Sequence, residues 1–341
     1  MRSIRLDRNG LLDCLSTWAD GQELYGPVKN DWQRIGRDGL EKVISIPPGV
    51  PKAPIKTFFL TQPETLFTFS ARHKDEDAWI PIPPKETRNW RVLFGVRPCD
   101  ARSVALNAMP YRDDPYYQAR MDRTMVVGFS CKEMCGSCFC KSVGGSPYGT
   151  EGLDILLSEV NGGFIAEVLT PKGKGLLEKI KTETPASDED LAHLKALRGA
   201  VEAEAAAAPV LSASFNAKDL MQLYNARLWQ GLSESCINCG ACTFLCPTCY
   251  CFDIQDEVVR RAGRRIRYWD SCMFPLFTFH ASGHNPRGEK IKRVRNRFMH
   301  KLKYFTDRFG ALSCVGCGRC IRECPVNIDI REVIRDLVSV E

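Results

Sequence analysis

The alternation of apolar and polar positions divides the first half of the chain into short strands and helices. Residues 90–96 form an apolar run that ends at a turn, and the positions after it have helical spacing with Asp100 as the predicted N-cap. A second apolar run, residues 124–130, ends in the same way at a cysteine. Residues 154–170 predict a hairpin that turns at residues 161–163. This succession of elements is typical of an α/β fold.

Helical spacing continues beyond the hairpin. Residues 187–208 predict an exposed, alanine-rich helix with an acidic first turn, and we place a domain boundary after it, near Pro209. Residues 217–232 predict a helix that leads into a cysteine-rich segment. The overall expectation is an α+β protein, with an N-terminal α/β domain over residues 1–209 and a second domain over residues 210–341.

Composition limits the class of protein. With 341 residues, of which 44% are hydrophobic, the chain is able to bury a sizeable core. Residues 1–20 mix charges with apolar positions, unlike a signal peptide, and no stretch reaches the ~18 uninterrupted apolar residues of a membrane span. We therefore expect a cytoplasmic protein with no membrane span. Its 17 cysteines are odd in number and spaced like metal ligands, which indicates metal-bound thiols rather than disulfides.

Two stretches of the chain share one cysteine spacing. In each, three cysteines are separated by two residues, and a fourth follows after three more residues and precedes a proline. This is the C-x2-C-x2-C-x3-C-P run of bacterial two-cluster ferredoxins. A pair of zinc sites, the alternative, leaves the third in-phase cysteine and both prolines unexplained. We therefore expect two 4Fe–4S clusters in a dicluster ferredoxin-like domain.

The ferredoxin pattern also predicts that the runs exchange ligands. The first three cysteines of a run hold one cluster, and the fourth cysteine ligates the cluster of the other run. The predicted ligands are Cys236, Cys239, Cys242 and Cys324 for cluster 1, and Cys314, Cys317, Cys320 and Cys246 for cluster 2. Residues 252–310, between the runs, are a long insertion that a small ferredoxin lacks.

Further thiols follow the two predicted strands of the N-terminal domain. If those strands are neighbours in a parallel sheet, the thiols at their carboxyl ends meet in one crevice. The favoured ligand set for a third cluster in that crevice is Cys99, Cys131, Cys138 and Cys140. Reduced structural thiols are the alternative, because free cysteine is among the most buried residue types.

A last group of thiols lies within and just after the first run. Cys249, Cys251 and Cys272 form a possible further metal site that lacks one partner. Cys14, on an amphipathic N-terminal helix, is expected in the core.

Several short motifs carry a resemblance to a known family. The segments are "LYGPVK" (24–29), "FGVRPCD" (94–100), "CFC" (138–140), "CPTCYCFD" (246–253), "RYWDSC" (267–272) and "GHNPR" (283–287). Together with the two runs, they resemble the iron–sulfur β subunit of cytoplasmic sulfhydrogenases and the A subunit of anaerobic sulfite reductase. Two positions depart from the family pattern: Cys135 is an extra thiol, and Pro286 replaces an aromatic residue.

The resemblance implies an electron-transfer subunit in a hetero-oligomer. Such a subunit passes single electrons between a flavin-bearing, NAD(P)H-oxidising partner and a separate catalytic subunit, of the hydrogenase, sulfite or sulfur reductase, or heterodisulfide reductase type. FAD is then expected in the partner rather than in this chain, where no G-x-G-x-x-G lies between a strand and a helix. We assign no catalytic residue and no dinucleotide-binding residue to the chain.

Two other functions remain open at this point. A self-sufficient iron–sulfur flavin oxidoreductase would bind flavin or substrate in the crevice of Cys99–Cys140. An iron–sulfur nucleic-acid protein would use the net charge of +6, much of which lies in the insertion. We do not expect nucleic-acid binding, because neither a recognition motif nor a run of stacking aromatics accompanies the charge. The basic residues are Arg260, Arg261, Arg264, Arg265, Arg267, Arg287, Lys290, Lys292, Arg293, Arg295, Arg297, Lys301 and Lys303.

Overall fold

The computed structural model of the chain describes residues 2–44, 49–72, 80–83, 89–178, 184–207 and 219–340. The strands of these segments are β1 (Arg2–Leu6), β2 (Glu23–Val28), β3 (Asp31–Arg34), β4 (Glu64–Ser70), β5 (Arg91–Val96), β6 (Thr124–Phe129), β7 (Ile155–Val160), β8 (Gly163–Val168), β9 (Thr184–Pro185), β10 (Phe252–Val259) and β11 (Ala262–Trp269). The helices are α1 (Arg8–Gly21), α2 (Leu40–Ile44), α3 (Pro98–Ala108), α4 (Pro115–Asp122), α5 (Pro171–Leu177), α6 (Asp188–Ala207), α7 (Leu220–Tyr224), α8 (Leu228–Ser235), α9 (Ala241–Phe244), α10 (Lys290–Met299), α11 (Phe305–Phe309), α12 (Arg319–Arg322) and α13 (Ile330–Val338).

The larger sheet is mixed, in the order β3-β2-β5-β6-β7-β8-β1-β9. Its centre is parallel, because β5 pairs with both β2 and β6, and β6 pairs with β7, in parallel register. The two apolar runs predicted as strands are therefore neighbours, which is the condition for their following thiols to meet. The predicted hairpin is also confirmed: β7 and β8 pair antiparallel around Asn161 and Gly162, both of which have positive φ.

Helices cover both faces of this sheet. On one face, Leu11, Leu15 and Trp18 of α1 are buried against the sheet, as is Cys14, which is fully buried as predicted. On the other face, α3 and α4 contribute a second cluster that includes Val104 and Tyr117. Burial on both faces explains why the central strands read as continuous apolar runs rather than as alternating ones.

The insertion between the cysteine runs joins the N-terminal part of the chain through a second sheet. Its hairpin, β10 and β11, forms a sheet with β4 in the order β10-β11-β4. Arg267 of β11 is buried, pairs with Glu64 of β4, and donates from Nη1 to Asp114 Oδ2 at 2.6 Å. The insertion, which follows the expected domain boundary in sequence, is therefore tied to residues that precede it, and that boundary, near Pro209, lies outside the described residues.

The C-terminal part is helical around the cysteine runs. The helix from Lys290 to Phe309 consists of α10, a π-helical segment at His300–Tyr304, and α11. It packs with α8 and α13 around a core that includes Trp229, Phe298 and Leu337. A π-helical segment changes which side chains face a neighbour, and such segments occur frequently at functional sites.

Three expectations about helices need correction. Asp100 is not an N-cap: α3 begins at Pro98 after Arg97, and Asp100 is buried inside it in an ion pair. The helix predicted over residues 217–232 is broken into α7 and α8. Helix α6 is not exposed throughout, because its apolar positions lie against the larger sheet. In each case a tertiary contact overrides the local propensity.

Across the described ranges, none of the helices has the length and apolar character needed to cross a membrane.

Candidate metal centres

The two cysteine runs fold into the same local structure. In each run a glycine in the left-handed conformation, Gly240 or Gly318, precedes a four-residue helix, α9 or α12. These helices carry the third cysteine of each run, Cys242 and Cys320, and they contact each other. Left-handed backbone strongly favours glycine, so the glycine within each run is required by this turn. The two sites are therefore related as the two halves of a bacterial dicluster ferredoxin are.

The cluster 1 site surrounds a cavity near the surface. Five thiols line it: three come from the first run, and two, Cys320 and Cys324, come from the second. The lining residues that matter here are Cys236, Cys239, Cys242, Cys324, Cys320, Arg297 and Ile237. Backbone N–H groups donate to two of the sulfurs, from Asn238 to Cys236 at 3.4 Å and from Ile328 to Cys324 at 3.2 Å. All four predicted cluster 1 ligands thus border one cavity.

The cluster 2 site is deeper. Cys246, from the first run, interacts electrostatically with all three leading thiols of the second run. Cys246, Cys314 and Cys317 each have a solvent-exposed fraction of 8%. The four predicted ligands are Cys246, Cys314, Cys317 and Cys320. The predicted cluster 2 ligands therefore lie near one another. Cys246 also interacts with Cys242 of its own run, so the assignment of Cys246 and Cys324 to the opposite clusters stays a prediction of the ferredoxin pattern.

Buried cations lie between and beside these thiols. Arg297 lines the cluster 1 cavity, interacts with Cys242 and Cys320, and its buried Nε has no hydrogen-bond partner within the described part of the chain. Lys301 donates from Nζ to Cys246 Sγ at 3.1 Å and to the backbone oxygen of Ser313 at 3.1 Å. A buried cation is costly unless an anion pairs with it. These side chains fit an anionic iron–sulfur cluster held by thiolates.

The pKa values of these groups reflect the same balance between burial and neighbouring charges. Burial disfavours the Lys301 ammonium, but the thiols of Cys246 and Cys249 outweigh it and raise the pKa of Lys301 well above its usual value. For Cys246, a hydrogen bond from Cys249 opposes the effect of burial, and the pKa lies well below that of a free thiol. Burial raises the pKa of Cys314 to about 11. The thiolate of Cys246 is thus stabilised before any metal binds.

The sequence contains a signal for these cations. Arg293, Arg297 and Lys301 are spaced by four residues along one helix, and all three are buried. Basic residues near an anionic cluster stabilise it, but only the helical spacing singles out these three positions. Several other basic residues of the insertion are used in ion pairs, such as Arg264 with Glu257.

The second run also touches the N-terminal domain closely. Gly316 has a φ of +66°, and a Cβ atom there would lie 2.5 Å from the carbonyl carbon of Phe139. Phe139 N donates to Gly316 O at 2.8 Å. Arg319 is fully buried and holds Asp100 of α3 through two bonds of 2.6 and 2.7 Å. The N-terminal domain therefore forms one wall of the cluster 2 site.

The thiols at the ends of β5 and β6 come together. Cys99 interacts electrostatically with Cys131, and Cys131 interacts with Cys140. The additional thiol Cys135 lies beside Cys138 and forms a hydrogen bond with it. A cavity of about 270 Å³, bordered by Cys131, Arg97 and Glu133, adjoins this group.

The other three predicted thiols are Cys249, Cys251 and Cys272, and each is hydrogen bonded to another thiol. Cys251 and Cys272 are hydrogen bonded to each other, which lowers the pKa of Cys251 to about 7. Cys249 bonds to Cys246 and interacts with Cys272, so the thiol nearest to the missing fourth position is the cluster 2 ligand Cys246. Lys56, whose pKa burial lowers to about 8, donates to Cys249 O at 2.9 Å.

Over the described residues, no group of three or more His, Cys, Asp or Glu side chains is arranged to hold a single metal ion. This applies to both ferredoxin-type runs as well as to the other thiols. A four-iron cluster has an iron at each of four corners, so its ligand thiolates stand farther apart than those of a single ion. The crosswise thiols and the buried cations are compatible with clusters of this kind.

The fold and these sites define an iron–sulfur protein of the 4Fe–4S dicluster class. Residues 235–328 match the family model of the 4Fe-4S dicluster domain, which covers both runs. The chain is also similar to the sulfhydrogenase 2 subunit beta of Pyrococcus furiosus, with 30% identity over 347 aligned positions that cover 99% of this chain and 98% of the relative. The chain belongs to the family of iron–sulfur beta subunits that this relative represents.

Proposed function

We propose that this chain relays single electrons through two 4Fe–4S clusters as one subunit of a hetero-oligomeric oxidoreductase. The observation that carries the proposal is the crosswise meeting of the runs: Cys324 borders the cavity of the first run, and Cys246 lies among the thiols of the second. When bound, each cluster takes up and releases one electron. Because each run would contribute ligands to both clusters, the two clusters would lie close together. This arrangement favours electron exchange between them.

The chain's own residues would tune and protect these sites. Lys301 and Arg297 hold positive charge in a buried, low-dielectric region, where charge interacts more strongly than in water. Backbone N–H groups donate to the sulfurs of Cys236 and Cys324. Donors and cations of this kind favour the more negative, reduced state of a cluster and so raise its reduction potential.

We further propose that electrons reach or leave the chain at the edge of the first run. Cys239 is exposed, and the neighbouring Ile237 has 61% of its surface accessible. An exposed apolar residue beside a redox site is suited to contact with a partner protein. Membership of the beta-subunit family supports partners of two types, a flavin-bearing NAD(P)H-oxidising subunit and a separate catalytic subunit.

The proposal is tested with serine variants of Cys246 and Cys324, the two cysteines that are proposed to ligate the cluster of the other run. In anaerobically purified protein with about eight iron per chain from the two runs, Cys246→Ser is expected to change the electron paramagnetic resonance signal that Cys317→Ser also changes. Cys324→Ser is expected to change the signal shared with Cys239→Ser. If each variant instead alters the signal of its own run, or if zinc replaces iron, the proposal is wrong.

The role of the partner needs its own measurement. The isolated chain, freed of bound partners, is expected to contain no flavin and to show no cluster reduction by NADH or NADPH. Addition of the flavoprotein subunit is expected to restore reduction. Tightly bound flavin in the isolated chain would instead favour the self-sufficient oxidoreductase.

A further inference from the structure

The thiols of the N-terminal domain meet for a topological reason. Strands β5 and β6 are adjacent and parallel, and Val96 pairs with Gly128 near their carboxyl ends. Cys99 lies in the first turn of α3, just after β5, and Cys131 follows β6 directly. Ligands of open parallel sheets bind at this edge. Two thiols are thus delivered to one place by the sheet itself.

The loop that follows β6 brings two more thiols, Cys138 and Cys140, to the same edge of the sheet. The loop closes on itself through Gly145 N, which donates to Cys140 O at 2.8 Å, and it is tied back to the strand end by Cys131 N, which donates to Pro147 O at 3.0 Å. Cys131 interacts with Cys140, and Cys140 with Cys138. Cys99, Cys131, Cys140 and Cys138 are therefore neighbouring thiols, and Cys135 also interacts with Cys131.

One of these thiols has the backbone donor that is also present in the two runs. Cys135 N donates to Cys138 Sγ at 3.1 Å. The cluster 1 site contains two such bonds, to Cys236 Sγ at 3.4 Å and to Cys324 Sγ at 3.2 Å. Such N–H donors to sulfur stabilise metal-bound thiolates.

Three arginines lie beside these thiols and their loop, together with the carboxylates of Glu202 and Asp100, which interact with Cys140 and Cys99. Arg97 is buried, interacts with Cys131 and donates to Ser130 O at 2.8 Å. Arg322 donates to Ser137 Oγ at 2.7 Å, and Arg331 donates to Gly136 O at 3.1 Å. Cations near four thiolates offset the negative charge of an iron–sulfur centre.

The loop also lies directly on the second run. A Cβ atom at Gly318 would come within 2.5 Å of the backbone oxygen of Ser137. Phe139 N is bonded to Gly316 O, and Cys99 interacts electrostatically with Cys317. The loop is therefore packed backbone to backbone against the second run at Gly316 and Gly318.

From this arrangement we infer that Cys99, Cys131, Cys138 and Cys140 hold a third 4Fe–4S cluster next to cluster 2. The inference of the site itself depends only on these thiols of the N-terminal domain. The third cluster would extend the electron path from the exposed part of the first run, across cluster 2, into the N-terminal domain. This role rests on the proposed function. Cys135, the fifth thiol, remains outside the ligand set and serves as the backbone donor to Cys138.

The inference is tested by measuring iron and acid-labile sulfide in the full-length chain, after anaerobic purification and reconstitution to saturation. Wild-type protein is expected to hold about twelve iron per chain, and Cys140→Ala and Cys131→Ala about eight. The matched control is Cys135→Ser in the same loop, which is expected to retain about twelve. Both alanine variants are expected to retain the resonance signals of the two runs.

Three results would overturn the inference. The first is about eight iron in saturated wild-type protein, a result that needs no variant to fold. The second is unchanged iron in Cys140→Ala. The third is loss of about four iron in Cys135→Ser, which would assign the ligand role to Cys135. None of these results affects the exchanged variants Cys246→Ser and Cys324→Ser, so failure of the third cluster and failure of the two-cluster relay are distinguishable.

Discussion

The first run and the second run share one cysteine spacing but differ in their surroundings. At the first run, Cys239 and Ile237 are exposed, and the cavity opens toward solvent. At the second run, Cys314 and Cys317 are buried, and the N-terminal domain lies on the loop between them. Equal ligand spacing is therefore compatible with different surroundings, which supports the proposal that the first site exchanges electrons with a partner and the second relays them internally.

The largest expected effect comes from the ion pair that joins the N-terminal domain to the second run. Asp100→Ala leaves Arg319 buried without its carboxylate, and breaking a buried pair from one side costs about 3–5 kcal/mol. We expect this loss in the free energy of unfolding, measured by denaturant titration of the anaerobic protein.

The control for this variant is an exposed pair in the insertion. Asp256 and Arg265 are both more than 40% exposed, so Asp256→Ala is expected to cost far less stability than Asp100→Ala. Equal losses in the two variants would contradict the buried-against-exposed comparison.

The second prediction concerns pH. His300, beside Tyr250 on the second-run side, has its pKa lowered by burial and by Lys301 to about 4. As the pH falls from about 6.5 toward 4, the unfolded chain binds a proton that the folded chain does not, so stability decreases by up to about 3 kcal/mol. Above pH 6.5 neither state binds it, and no penalty applies.

His300→Gln is the comparison for the pH measurement. The difference in unfolding free energy between wild type and His300→Gln is expected to change between pH 7 and pH 5 and to be constant above pH 7. A difference that does not vary over the acidic range would show that folding leaves the pKa of His300 unchanged.

The third prediction separates the two clusters by their potentials. Lys301→Met removes the ammonium that donates to Cys246 Sγ, and the reduced state, which carries more negative charge, loses that stabilisation. A hydrogen bond from a charged group contributes about 1.5–3 kcal/mol, so we expect the cluster 2 potential to fall by about 60–120 mV in redox titration.

The neighbouring Lys303 provides the matched control. It lies two residues further along the same helix, where it pairs with Asp307. Lys303→Met is expected to leave both potentials unchanged. A shift of the cluster 1 potential in Lys301→Met would mean that Cys246 belongs to the first run's own cluster.

The smallest effect on the protein itself is expected at the first-run edge. Ile237→Gln changes an exposed side chain without adding charge, so stability is expected to change by less than about 0.5 kcal/mol. Reduction by the partner flavoprotein is nevertheless expected to slow. Val259→Gln, at an equally exposed position on β10, is the control, and equal rates in both variants would place the docking surface elsewhere.

The sequence alone determined the features that depend on local spacing. The two runs were predicted because a ferredoxin-type turn needs cysteines at fixed intervals, and the exchange of Cys246 and Cys324 stays a prediction of that pattern. The two central strands and the turn at residues 161–163 were also predicted, since apolar runs and turn residues are local signals, whereas the pairing of those strands was only a condition.

Only the tertiary structure decided what surrounds the thiols. Asp100 was predicted as an N-cap, because its position allowed that role, yet its partner Arg319 lies 219 residues away in sequence. The break between α7 and α8 and the pairing of β11 with β4 likewise depend on contacts between distant segments. Whether Lys301 is a solvated charge or a donor to Cys246 depends on packing. Such pairings arise only when the chain is folded, so no local pattern encodes them.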